Sequence, residues 1–105
     1  MELPVKIGIA GTGRMGAAVA GRLLSVGHDV TVWNRTREKT EALASAGANV
    51  AATPAALATQ VEIVITFLTD AAAIDATYRG RRGLLAGEVR GKLFIDMSTV
   101  RPEVE

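Results

Sequence analysis

One hexapeptide limits what this chain can become. Gly11-Thr12-Gly13-Arg14-Met15-Gly16 has the spacing G-x-G-x-x-G. It stands between an apolar run, Val5-Lys6-Ile7-Gly8-Ile9-Ala10, and a segment of small residues and leucines from Ala17 to Val26. The run before it suits a buried parallel strand, and the segment after it has helical spacing. The spacing alone is a weak signal; between a strand and a helix it becomes specific. Gly11 permits the tight strand-to-helix turn. Gly13 lets the backbone approach a pyrophosphate, and Gly16 lets the helix sit close on the sheet. The N–H groups at the helix start and the helix dipole favour an anion there. A glycine-rich turn that binds nothing is the plainer alternative, and the strand–helix context argues against it.

The rest of the chain repeats the alternation. The first helix is expected from Arg14 to Val26, with Gly27 as its C′ residue. Val30 to Trp33 reads as strand two, ending at Asn34. Thr36 is placed to cap a second helix that runs to Ala46 and stops at Gly47. Asn49 to Ala51 is a short third strand, and Thr53-Pro54 opens a small helix through Thr59. Val61 to Phe67 is strand four. Thr69 or Asp70 caps a helix reaching Arg79, Gly83 to Val89 is a short helical turn, and Lys92 to Asp96 is strand five. This order predicts an α/β fold: a Rossmann-like doubly wound parallel sheet, one domain over residues 1–105, with right-handed crossovers and strand order 3-2-1-4-5. The ligand crevice of such a sheet lies between strands one and four.

Composition removes several classes of chemistry. Twelve basic and 11 acidic residues leave a net charge of +1, which gives no reason to expect a nucleic-acid partner. With no cysteine there is no disulfide, thiol nucleophile or thiolate metal site, and a single histidine rules out a histidine metal cluster within one chain. No apolar run has the length of a membrane span, and the N-terminus lacks signal-peptide character. A cytoplasmic setting is the resulting expectation. His28 reads as a turn residue, Trp33 as packed along its strand, and Arg79, Arg81, Arg82 and Arg90 as a solvated face.

Three loops should meet at the carboxyl edge of the sheet. The first is the glycine turn, which includes Arg14 and Met15. The second is Asn34-Arg35-Thr36. An NAD site usually has Asp or Glu here, accepting from the adenosine ribose. A neutral amide does not repel a 2′-phosphate. Arg35 can pair with that phosphate, and Thr36 adds a hydroxyl at a helix start. The trio therefore argues for NADP(H) over NAD(H); the plainer reading makes Arg35 a solvated charge and Asn34 a turn residue. The third region joins strands four and five. Phe67, Leu68 and Thr69 leave the sheet beside the crevice, where they suit the nicotinamide half. Ser98 and Thr99 offer hydroxyls to a nicotinamide ribose or a substrate carboxylate, or serve as ordinary turn residues, and the sequence does not choose.

These motifs resemble the N-terminal cofactor domain of the β-hydroxyacid dehydrogenases, the 3-hydroxyisobutyrate dehydrogenase type, and are similar to imine reductases and 6-phosphogluconate dehydrogenase. The resemblance extends from Val5 to Pro102. It rests on the glycine turn, on Gly27-His28-Asp29-Val30-Thr31-Val32-Trp33-Asn34-Arg35-Thr36, on Thr53-Pro54-Ala55, on Val64-Ile65-Thr66-Phe67-Leu68-Thr69-Asp70, and above all on Phe94-Ile95-Asp96-Met97-Ser98-Thr99-Val100. It implies an oxidoreductase parent that moves a hydride between the nicotinamide and a small hydroxy acid or aldehyde acid. It puts Leu68, Thr69 and Thr99 on the cofactor, Ser98 near substrate, and the catalytic lysine in a C-terminal helical domain absent from 1–105. On that reading the chain alone is almost inert, and self-association through an apolar surface near Leu68, Met97 and Val100 is expected. Thr12 departs from the family's frequent Leu, Thr69 from Pro or Ser, and Arg101 from a small or polar residue, which leaves the substrate open. The alternatives are a non-catalytic nucleotide-binding or scaffold module, and the cofactor half of an imine reductase.

Overall fold

The structure, a computed structural model, describes residues 5–68, 77–78, 83 and 92–97. Strands β1 (Lys6–Ala10), β2 (Asp29–Trp33), β3 (Asn49–Val50), β4 (Ile63–Thr66) and β5 (Leu93–Asp96) form one sheet in the order β3-β2-β1-β4-β5. All four pairings are parallel. β1 sits at the centre, with Ile9 opposite Val32 on one side and Ile65 on the other. The expected order and the β1/β4 switch point are both present.

Alternation along β1 builds two cores. Ile7 and Ile9 join Val30, Val32, Ala20 and Leu43 in one. Ala10 joins Val64, Leu57, Ala58 and Val61 in the other. A strand with helices on both faces needs apolar residues at every position, which the run 7–10 supplies. Helix α1 (Arg14–Ser25) buries Gly16 and Ala20, one turn apart, so its sheet-facing stripe is small and it lies close. It ends at Val26, with the Gly27 N–H on the Leu24 carbonyl (3.1 Å) and the His28 N–H on that of Leu23 (3.1 Å), the paired bonds of a Schellman cap. Helix α3 (Pro54–Gln60) starts as expected: the Thr53 hydroxyl accepts from the Ala56 N–H at 3.0 Å, and proline occupies its first turn.

The second helix differs from its sequence reading. In place of one continuous helix, a 3₁₀ turn (Arg37–Thr40) leads into a short helix α2 (Glu41–Ser45). Thr36 has extended backbone but makes no side-chain cap. Its carbonyl accepts from the Lys39 N–H (3.1 Å), a three-residue step, and also from the Asn34 side chain. The Lys39 carbonyl accepts from the Thr12 hydroxyl and that of Arg37 from the Thr40 hydroxyl, so side chains compete for the carbonyls of this first turn. The expected helix start at Thr69 or Asp70 and most of the Gly83 to Val89 turn lie outside the described residues; Thr77 and Tyr78 are helical.

Candidate nucleotide-binding edge

β1, β2, β4 and β5 all release their chains at the carboxyl edge. Gly11 leaves β1 at φ 101°, a conformation that favours glycine, and its N–H donates to the Trp33 carbonyl at 2.7 Å. A Cβ on Gly11 would overlap the Phe67 carbonyl oxygen, and one on Gly16 the Gly11 carbonyl oxygen. The turn therefore has its shape because two backbones touch where side chains are missing. Gly13 is different. A Cβ there would meet nothing within 4 Å, so the space beside the turn is open. Gly13 is also the N-cap of α1, with no side chain capping the helix and no acidic residue in its first turn. That open, uncapped cradle fits a phosphate group.

The loop after β2 is fastened to this turn. The Thr12 N–H donates to Asn34 Oδ1 at 2.8 Å, Asn34 Nδ2 donates to the Thr36 carbonyl at 3.0 Å, and Thr12 Oγ1 donates to the Lys39 carbonyl at 3.0 Å. Thr12 is 5% exposed, whereas Gly13, Arg14, Met15, Arg35, Thr36, Arg37 and Lys39 are exposed. Arg14 opens the uncapped helix, and the loop bonded to its turn carries Arg35, Arg37 and Lys39 against one acid, Glu38; the excess of positive charge favours an anion.

On the other side of the switch point, Phe67 packs against Gly16 and the first core, and Leu68 against Gly11. Behind them Thr66, fully buried, bonds Asp96 Oδ1 (3.0 Å) and the Tyr78 hydroxyl (3.1 Å). An ionised Asp96 only accepts, so the Thr66 proton points to it and Tyr78 donates to Thr66. Burial chiefly raises the Tyr78 pKa above 10.0, and the Asp96 charge beside it raises it further.

Gly11 to Gly16, Asn34 to Thr36, Phe67 and Leu68 are therefore brought together at one edge. Thr69, Ser98 and Thr99 lie outside the described residues. The sequence reading missed Thr66, Tyr78 and the Thr12–Asn34 bond; a threonine inside the apolar fourth strand was the available signal. His28 Nδ1 accepts from the Val5 N–H (3.4 Å), and Trp33 packs on the second core, so both serve the fold. Among the described residues no three metal-ligating side chains cluster, and no helix is long and apolar enough to cross a membrane.

Comparison with known proteins agrees with this geometry. The family described as "NAD binding domain of 6-phosphogluconate dehydrogenase" matches residues 6–105. The cytokine-like nuclear factor N-PAC of Xenopus tropicalis is 42% identical over 98 residues, which is 93% of this chain and 18% of that protein. The uncharacterized oxidoreductase YfjR of Bacillus subtilis (strain 168) is 40% identical, over 94% of this chain and 35% of its own length. A reductive aminase from Aspergillus terreus, solved with NADPH and ethyl levulinate, superposes with a TM-score of 0.79 at 36% identity, over 96% of this chain and 34% of that one. The chain thus spans between about a fifth and about a third of these relatives. It belongs to the family of NAD-binding domains of the 6-phosphogluconate dehydrogenase type, and its fold is Rossmann-like.

Proposed function

We propose that this domain binds NADP(H) for an oxidoreductase parent of the 3-hydroxyisobutyrate dehydrogenase type, acting on a small hydroxy acid or aldehyde acid. The observation that carries the reading is the β2 loop. Where an NAD site has a carboxylate, this chain has Asn34, flanked by exposed Arg35 and Thr36 and fastened to the phosphate turn. In this reading the turn Gly11 to Gly16 holds the pyrophosphate, Arg35 and Thr36 take the 2′-phosphate, and Phe67, Leu68, Thr69 and Thr99 line the nicotinamide half. When bound, the nicotinamide supplies the hydride chemistry; the domain binds and orients it. Proton transfer belongs to a lysine on a separate helical domain of the parent, so residues 1–105 alone are inactive. The NADPH-bound reductive aminase supports the cofactor choice, and YfjR supports an oxidoreductase parent. Self-association belongs to the same reading, supported by the exposed Leu93, Ile95 and Met97.

A second reading, a nucleotide-binding module without turnover, is favoured by the 42% identity to a protein named a nuclear factor. A parent of the imine reductase type is favoured by the aminase likeness. Thermal denaturation of the chain with NADPH, NADH and ATP tests the core proposal. NADPH should raise the midpoint most; no shift, or an equal shift with ATP, contradicts it. Turnover of hydroxy acids by the full-length parent, or its absence, then separates the enzyme from the module.

A further inference from the structure

Thr12 is a buried hydroxyl residue in the glycine turn, and nothing in the proposed function uses its hydroxyl. In the structure both of its donors are engaged within the fold: the N–H by Asn34 Oδ1 and the hydroxyl by the Lys39 carbonyl. Asn34 is likewise engaged at both ends of its amide, accepting from Thr12 and donating to Thr36. The two Thr12 bonds join the phosphate turn to both ends of the segment 34–39, and the Asn34–Thr36 bond braces the segment internally. Arg35 and Thr36, which lie between the two anchored ends, are exposed, as are Arg37, Glu38 and Lys39.

We infer that Thr12 and Asn34 are positioning residues that set the preference for a 2′-phosphorylated dinucleotide by fixing the β2 loop against the phosphate turn. The inference rests on reading this edge as an NADP(H) site. Asn34 acts here as an amide because it must donate and accept at once. An aspartate would keep the bond from the Thr12 N–H but would set a carboxylate oxygen against the Thr36 carbonyl, two acceptors 3.0 Å apart where a donor now bridges them. The loop would have to open, carrying Arg35 and Thr36 away. Exchanging Asn34 for the residue typical of an NAD site therefore disorganises the loop and does not simply reverse the preference. At Thr12, an apolar side chain of equal size removes only the bond to Lys39.

Titration of NADPH and NADH into wild type, Thr12→Val, Thr12→Ser and Asn34→Asp tests this. Thr12→Val should weaken NADPH roughly fivefold, within the worth of one neutral hydrogen bond, and leave NADH nearly unchanged. Thr12→Ser, which keeps the hydroxyl, should restore the wild-type ratio, a rescue that a purely structural role would not confine to one cofactor. Asn34→Asp should lose NADPH affinity without binding NADH more tightly than wild type. An unchanged ratio in Thr12→Val, or tighter NADH binding in Asn34→Asp, overturns the inference while leaving the NADP(H) reading intact. If Thr12→Val does not fold, the Asn34→Asp result decides alone. A wild type with no preference for NADPH overturns the site reading and the inference together.

Discussion

The loops after β1 and β2 are fastened to each other by their own side chains, whereas at the ends of β4 and β5 a buried hydroxyl, Thr66 Oγ1, joins the two strands alongside their backbone ladder. On the first side, Thr12 makes two bonds across the two loops, Asn34 adds a third within the second loop, and glycine carves the turn by close backbone approach. β1 is buried from Ile7 to Ala10. On the second side, Thr66 links Tyr78 and Asp96, and β5 leaves Leu93, Ile95 and Met97 exposed, Met97 by 51%. The proposed phosphate half is thus complete within the described residues. Leu93 and Ile95 along the edge strand, with Met97 after it, present an apolar row, the surface through which association is proposed.

The largest effect should come from breaking the close approach on the phosphate side. Gly16→Ala drives a methyl group into the Gly11 carbonyl, and α1 must lift from the sheet; we expect a loss of about 3 kcal/mol in urea unfolding. Gly13→Ala, with open space around it, should unfold like wild type. Equal stabilities for the two variants would show that the glycine turn is not shaped by contact. Gly13→Val sharpens the same point: its branched side chain fills the proposed phosphate cradle, so the folded variant should show no detectable NADPH binding by calorimetry. Normal affinity would remove Gly13 from the site.

Effects on the β4–β5 side should be smaller. Thr66→Val keeps the shape but strands the Tyr78 hydroxyl, at a cost of about 1–2 kcal/mol in the same unfolding assay, and Thr66→Ser should recover most of it. The smallest effect is a pH dependence. The folded pKa of Tyr78 lies above its ordinary 10.0, so the unfolded chain loses this proton first as pH rises. The stability this group contributes is full below pH 10 and is lost as pH climbs through the folded value. Tyr78→Phe should therefore flatten the alkaline fall in stability, and an unchanged alkaline limb would contradict the burial of that hydroxyl.

What could be read beforehand divides along the same line. The strand order and the carboxyl-edge grouping follow from apolar runs punctuated by Gly11, Gly27 and Gly47, all of which have positive φ. Local chemistry sufficed at Thr53-Pro54 as well, because a cap and an N1 proline act within one turn. The second helix differs from its sequence reading because its first carbonyls are claimed by side chains, by Thr12 across 27 positions and by Asn34 from two residues away. The link between Thr12 and Asn34, 22 residues apart, is tertiary and leaves no periodic trace. Thr66 announced itself only as a polar residue in an apolar strand, and its partners Tyr78 and Asp96 came from elements whose packing no spacing rule supplies.

The central claim is that Asn34-Arg35-Thr36 makes this edge a site for a 2′-phosphorylated dinucleotide, and calorimetric titration of NADPH and NADH into wild type and Arg35→Ala tests it most directly. Wild type should bind NADPH more tightly than NADH. Arg35→Ala should weaken NADPH by about 1.5–3 kcal/mol, the worth of a hydrogen bond to a charged group, and leave NADH close to its wild-type value. Equal wild-type affinities, or a ratio that Arg35→Ala does not change, would contradict the account.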